Sequence, residues 1–220
     1  MSNTVAASER TRVRRVPGRG AYDRAVIDAI LDEALICHVG LVSDAQPFVI
    51  PTIHFRIGDE LYIHGSAASR LIEHGVSGAP LCVTVTLIDG VVLARSAFHH
   101  SMNYRSVVIL GQARVVSARD EKSAALSVLV NRFSPGRAER VRAPNEQELK
   151  ATTLLALPIA EASAKVRTGG PIDDEADLAL PVWAGVIPLR LEPLPALVAE
   201  PQHPGEQVPS LGHPFNAVRS

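Results

Sequence analysis

The most constraining stretch is a pair of short β-type runs, residues 48–55 and 61–64, separated by Gly58-Asp59. Apolar and polar residues alternate in both, as they do in half-buried strands, and the Gly-Asp between them is a turn signal, so a hairpin is expected. With a loop of three or five residues, Ile53 faces Ile63 and Phe55 faces Leu61, while Thr52 faces His64 and His54 faces Tyr62. One face is then apolar and the other polar. A shift of one residue mixes the faces, which favours the odd loop.

The hairpin leads into Gly65-Ser66-Ala67-Ala68-Ser69-Arg70. Ser66 is expected to cap a short helix that Gly75 closes. A helix start leaves amides unpaired and carries partial positive charge. Two serine hydroxyls and Arg70 beside it suit a phosphate monoester. The bland alternative is a capped surface helix with a solvated arginine.

The other elements extend the same pattern. Asp23 reads as the cap of a helix with Val26, Ile27, Ile30, Leu31 and Ala34 on its apolar side. Strands are expected at residues 37–42, 81–87, 91–96, 104–116 and 152–166, with Asp89-Gly90 as a hairpin turn and Gly111 as a bulge or corner. Helices are expected over 119–133 and 144–150. Pro181 to Leu191 holds the only tryptophan, Trp183. These consecutive strands argue for antiparallel pairing, and regular strand–helix alternation is missing, so the expected fold is a mainly β barrel of six or seven strands with peripheral helices. The apolar runs 81–87 and 107–110 exceed the needs of one core and suggest a homodimer interface.

The arginine-rich residues 1–20 form an arm, draped or anion-binding; residues 21–191 form the domain; the proline-rich residues 192–220 form an extended tail. At 46% hydrophobic and 20% charged residues, the chain is globular. A net charge of −1 argues against a dedicated nucleic-acid binder. No apolar run reaches membrane-span length and no signal pattern opens the chain, so a cytoplasmic protein without a membrane partner is expected. Cys37 and Cys82 lie in separate apolar runs and match no metal spacing. Adjacent His99 and His100 point apart in extended chain and do not share one metal unaided. The acidic run Asp173, Asp174, Glu175 and Asp177 lacks calcium-loop order and reads as solvated. Phosphate-loop, dinucleotide-fold and nucleophile-elbow motifs are absent.

A family resemblance runs through Tyr22-Asp23, Cys37-His38-Val39, Pro51, Gly58-Asp59, residues 61–66, Ala68-Ser69-Arg70, residues 82–86, Asp89-Gly90, Ala94-Arg95-Ser96, residues 103–108, Gly111, residues 148–152, residues 165–167 and residues 183–188. In these the chain resembles the pyridoxamine 5′-phosphate oxidase-like split-barrel family, in the flavin-nucleotide-binding subgroup that includes nitroimidazole-resistance proteins. The resemblance implies a homodimer that binds FMN at its interface. By position, Ser69 and Arg70, with Ser66 beside them, hold the phosphate. Thr52, Ile53, His54, Tyr62 and His64 line the ring or ribityl region. Arg105, Ser106 and Trp183 match polar and aromatic family positions, and Lys165 is a second phosphate partner. The arginine-and-lysine strand and arginine-rich ending of the true oxidases are absent, which argues against vitamin B6 oxidase activity. The implied function is FMN-dependent reduction of a small organic substrate, such as a nitroaromatic or quinone, with His54 or His64 first in line to deliver protons. FMN is expected to bind better than FAD or riboflavin. The alternatives are a flavin carrier or sensor without turnover, and a haem-binding relative that uses its histidines.

Overall fold

A computed structural model describes residues 8–199, 205 and 207–212. Ten strands and four α-helices are assigned among them. A short strand β1 (Gly20–Ala21) precedes helix α1 (Arg24–Glu33), whose Asp23 cap accepts from the amides of Ala25 and Val26. Strands β2 (Ile36–Ser43), β3 (Gln46–Ile57) and β4 (Glu60–Ser66) follow as an antiparallel meander. Helix α2 (Arg70–Val76) leads to β5 (Leu81–Leu93), β6 (Ser101–Gly111) and β7 (Arg114–Val115). Helices α3 (Arg119–Phe133) and α4 (Glu146–Ala151) precede β8 (Thr152–Pro158), β9 (Ala162–Arg167) and β10 (Gly185–Pro188).

The strands form one antiparallel sheet in the order β1-β9-β6-β5-β2-β3-β4-β8-β7, with β10 added beside β5. Its two ends are joined by chain rather than by a continuous ladder. The turn between β8 and β9 and the corner after Gly111 both carry the backbone from one end to the other. The result is a split β-barrel. Its main core gathers Cys37, Val39, Val83, Val85, Val107, Ile109, Ala162 and Ala164 beneath Ile27, Ile30 and Leu31 of α1. A second core sets Phe55, Tyr62, Leu154 and Ala156 against Ala125 and Leu129 of α3.

Five expectations change. The hairpin loop has two residues, so His54 pairs with Ile63 and Phe55 with Tyr62, one position off the expected register. Clean segregation of faces misleads here because both faces of β4 are covered, one by the main core and the other by the α3 core. Ser69 rather than Ser66 caps α2, and Gly75 lies inside that helix. Residues 81–93 form one strand, with Asp89 in a bulge between Ile88 and Gly90 rather than in a hairpin turn, because β6 pairs along both halves. The expected strand 152–166 divides into β8 and β9, which join opposite ends of the sheet. Lastly, Leu81, Val83, Val85, Val107 and Ile109 are consumed by the core. Exposed apolar residues on the sheet include Ile36, Val42 and Val49, at 50%, 59% and 67% exposure, on adjacent strands β2 and β3.

Gly111 turns the corner as expected; a Cβ there would press on Leu157. Residues 1–7 of the arm lie outside the described residues; from Ser8 on it is draped against the barrel, where Ser8 and Arg10 bond Glu161. Cys37 is buried, Cys82 is partly buried, and both are free thiols. The acidic run is only partly solvated, since the Asp173 carboxylate is 2% exposed and holds Arg95 at 2.6 Å. No described helix is long and apolar enough to cross a membrane. Of the tail, residues 200–204, 206 and 213–220 lie outside the described residues.

Candidate functional site

Alternation along β2, β5, β6 and β9 sends one set of side chains into the core and the other to an outer face. On that face His38 stands opposite Thr84, Thr84 opposite Val108, Thr86 opposite Ser106, and Ser106 opposite Lys165. The two-residue turn at Asp44-Ala45, with both residues at positive φ, returns the chain so that β3 extends the face. Ile53 lies beside Ile36 there, half-buried at the edge of the second core, and Thr52 is half-buried beside Cys37.

At the end of β4 the chain leaves the sheet through an exposed turn. Ser66 Oγ accepts weakly from the Ala68 amide at 3.4 Å, and Ser69 Oγ accepts from the Ile72 amide at 3.4 Å. Arg70 is exposed, and its guanidinium lies 3.9 Å over the Phe48 ring. No carboxylate within ion-pair distance of Arg70 is found among the described residues. The turn therefore offers hydroxyls, helix-start amides and a cation held in place by an aromatic ring rather than by an anion.

His64 stands just before this turn, half-buried opposite Leu154. Its Nδ1 is buried without a hydrogen-bond partner. Burial pushes its pKa down, so the ring stays neutral near pH 7.

Three expected site residues are engaged elsewhere. His54 is fully buried under α1, where its Nε2–H donates to the Leu31 carbonyl at 3.0 Å. Burial, then the nearby Arg132 charge, lowers its pKa to about 4. Tyr62 stacks on Phe55 with ring centroids 5.3 Å apart, and its hydroxyl donates to Glu60. Arg105 lies between Glu33 and Asp89 and bonds both carboxylates, contacts that raise its pKa. His54 and Arg105 are held through partners distant in sequence, and Tyr62 by its stack on Phe55 and by Glu60 two residues away.

The remaining candidates fall into two groups. Thr52, Ile53, His64, Ser66, Ser69 and Arg70 belong to β3, β4 and the α2 start. Ser106 and Lys165 sit on β6 and β9, three and four strands from β3 and so roughly 14–19 Å away along the sheet. Trp183 is 62% exposed before β10. His99 bonds Asp174 at 3.2 Å and His100 bonds the Ser96 carbonyl at 2.9 Å, so this pair does not converge on one ion. No group of three or more His, Cys, Asp or Glu side chains arranged for a metal is found among the described residues.

A mainly antiparallel split barrel with an open outer face and a serine–arginine turn at its hairpin end defines the structural class. The sequence profile described as pyridoxamine 5′-phosphate oxidase matches residues 23–166, and the chain belongs to that family. It is similar to a flavocytochrome from Azotobacter vinelandii, at 44% identity over 92% of this chain and 94% of that one, with a TM-score of 0.87. It is also similar to an FAD- and haem-binding protein from Mycobacterium smegmatis, at 40% identity over 87% and 94% of the two chains, with a TM-score of 0.83. A Bacteroides thetaiotaomicron protein provisionally described as a 5-nitroimidazole antibiotic resistance protein shares the fold, at 22% identity over 67% and 86%, with a TM-score of 0.57. The search of curated proteins gave no match.

Proposed function

We propose that this chain is a flavin-nucleotide-binding redox protein that works as a homodimer on a small organic substrate. The observation that carries the reading is the Ser66-to-Arg70 turn, where a cation without a carboxylate partner meets a helix start. The FMN portion of the nucleotide places its phosphate there, with Arg70 and Ser69 as direct partners and Ser66 at the rim. Thr52, Ile53 and His64 flank the ribityl chain and ring. The bound flavin supplies the electron chemistry, and a nitroaromatic or quinone is the substrate class proposed. Neutral His64 is the group positioned to pass a proton; buried His54 is not. A flavin carrier without turnover remains the alternative, and an NAD(P)H oxidation assay with both acceptors separates the two.

Arg70→Ala tests the phosphate assignment. A hydrogen bond to a charged group is worth about 1.5–3 kcal/mol, so FMN affinity is expected to fall roughly ten- to more than a hundredfold. Riboflavin, lacking the phosphate, is expected to bind both proteins alike. An unchanged FMN dissociation constant in fluorescence titration rejects the site.

The dimer rests on Val42 and Val49, exposed apolar residues near each other on the paired strands β2 and β3. A ligand that bridges two copies stabilises the pair by mass action. Sedimentation across a dilution series is expected to show a dimer that dissociates sooner without flavin. A monomer that keeps flavin at every concentration contradicts it.

Haem is a second reading, favoured by the orphaned Nδ1 of neutral His64 and by the haem-binding description of the Mycobacterium smegmatis relative. His64 would supply the neutral imidazole nitrogen that haem iron binds. Haem reconstitution followed by absorption spectroscopy tests this: His64→Ala is expected to lose the haem band while its thermal unfolding stays cooperative, and an unchanged haem band rejects His64 as the ligand.

A further inference from the structure

On β9, Ala162 and Ala164 enter the core, so alternation sends Ser163 and Lys165 to the opposite face. On β6, Val107 and Ile109 enter the core and leave Ser106 and Val108 outside, paired with Lys165 and Ser163. Residues 10–15 of the arm cross these four side chains and enclose a cavity of about 270 Å³. The crossing is tied down at two points. Ser8 and Arg10 bond Glu161, and the Val13 amide donates to the Tyr22 hydroxyl at 2.9 Å. The volume is just under the range of small-molecule pockets, so it suits one charged group rather than a fused ring system.

The charges around it are unbalanced. Arg10 pairs with Glu161, while Arg12 and Arg14 share Glu9. Arg15 and Lys165 have no carboxylate partner among the described residues. Five cations thus meet two carboxylates, in a chain whose overall formal charge is −1. The floor adds a second, independent feature. Ser163 lines the cavity at 7% exposure, and its hydroxyl has no hydrogen-bond partner among the described residues. Further along the same face of β9, Arg167 is 5% exposed and bonds Asn103 and the carbonyls of Gly169 and Gly170. Its buried Nε has no partner. Guanidinium groups present paired donors matched to phosphate oxygens, Lys165 adds a point charge, and the Ser163 hydroxyl adds a neutral donor.

We propose that this cavity is a second anion site, which binds a phosphate group, free or as the monoester of a larger molecule, beneath the arginine arm. One such group suits the volume, and its charge of nearly −2 answers the cations left over from the ion pairs. The site is separate from the flavin phosphate. Ser106 and Lys165 lie roughly 14–19 Å from β3 along the sheet, too far for one phosphate to touch both places. The inference therefore stands without the flavin reading. It assigns a ligand to the anion-binding alternative that the arginine-rich arm carries in the sequence.

The test titrates the full chain with inorganic phosphate, AMP and adenosine by calorimetry at low salt, in an Arg70→Ala background that removes the cation of the α2 turn. Phosphate and AMP are expected to saturate one site, and adenosine is expected not to bind. Equal affinity for the two anions assigns the site to free phosphate; tighter AMP assigns it to an ester whose body adds contacts. Adding Arg12→Ser and Arg15→Ser is expected to weaken both anions by about ten- to a hundredfold, and adding Ser163→Ala by roughly three- to tenfold. In the chain that keeps Arg70, the two arm substitutions are expected to leave FMN affinity unchanged. If FMN fails to bind that chain, but phosphate binds and is lost with the arm substitutions, the flavin reading fails and the cavity assignment stands. Absence of saturable phosphate and AMP binding overturns the proposal, as does adenosine binding as tightly as AMP. Equal weakening of phosphate and FMN by the arm substitutions also overturns it, because the cavity then holds the flavin phosphate itself. Should the arm variant melt early, the exposed Arg15→Ser alone is read, and unchanged phosphate affinity there overturns the proposal.

Discussion

Arg105→Met is expected to lower the unfolding free energy by about 3 kcal/mol and to leave flavin affinity unchanged. Arg105 bonds Glu33 at the end of α1 and Asp89 at the β5 bulge, so one guanidinium ties the helix to two strands. Its side chain is 19% exposed, and those of Glu33 and Asp89 are 17% and 30% exposed. Removing one partner of a buried pair costs about 3–5 kcal/mol, and partial solvent access places this case at the lower end. Urea denaturation of both proteins measures it, and adding Asp89→Asn is expected to recover part of the loss. A variant of normal stability that loses flavin affinity returns Arg105 to the binding site.

Acidification from pH 6.5 to 4.5 is expected to cost about 2–3 kcal/mol of stability, mostly through His54. Its folded pKa of about 4 lies below the ordinary value of 6.5. Between the two, the unfolded chain binds a proton that the folded chain refuses, so stability is full above pH 6.5 and falls as pH drops toward 4. The structural cause is plain. Nε2–H already donates to Leu31, and a second proton would create an N–H at Nδ1, which is buried without an acceptor. His64 shifts in the same direction and adds to the slope. Urea midpoints at half-unit pH steps measure the dependence, and His54→Gln is expected to flatten most of it. An equal slope in that variant removes His54 from the account.

Local chemistry was legible wherever it was self-contained. The expected helix over 119–133 is α3 as found, bounded by Ser134-Pro135-Gly136, and Asp23 caps α1 as its position implies. The serine–arginine turn was legible as an exposed feature, although its cap shifted from Ser66 to Ser69. Asp89-Gly90 shows the limit. The same two residues serve a hairpin turn or a bulge, and the choice falls to β6, which runs past both halves of β5. Gly90 also accommodates β10, since a Cβ there would strike the Ile187 carbonyl.

The amino-acid order by itself determined the antiparallel β class, the family and the exposed turn, because alternation, capping and motif spacing are short-range properties. Tertiary structure decided which polar residues are free to bind a ligand. His54, Tyr62 and Arg105 look available in a one-strand pattern, yet each is claimed by a partner at least two residues away in sequence and most by partners far more distant. The hairpin register was decided in the same way. Two helices cover opposite faces of the hairpin, so each face can bury side chains of either kind, and the two-residue turn sets the pairing. Arg15 of the arm, Ser106 of β6 and Lys165 of β9, 91 and then 59 residues apart in the chain, come together on one face only through the fold. Long-range contact, and the desolvation that comes with it, is the physical quantity a local pattern does not contain.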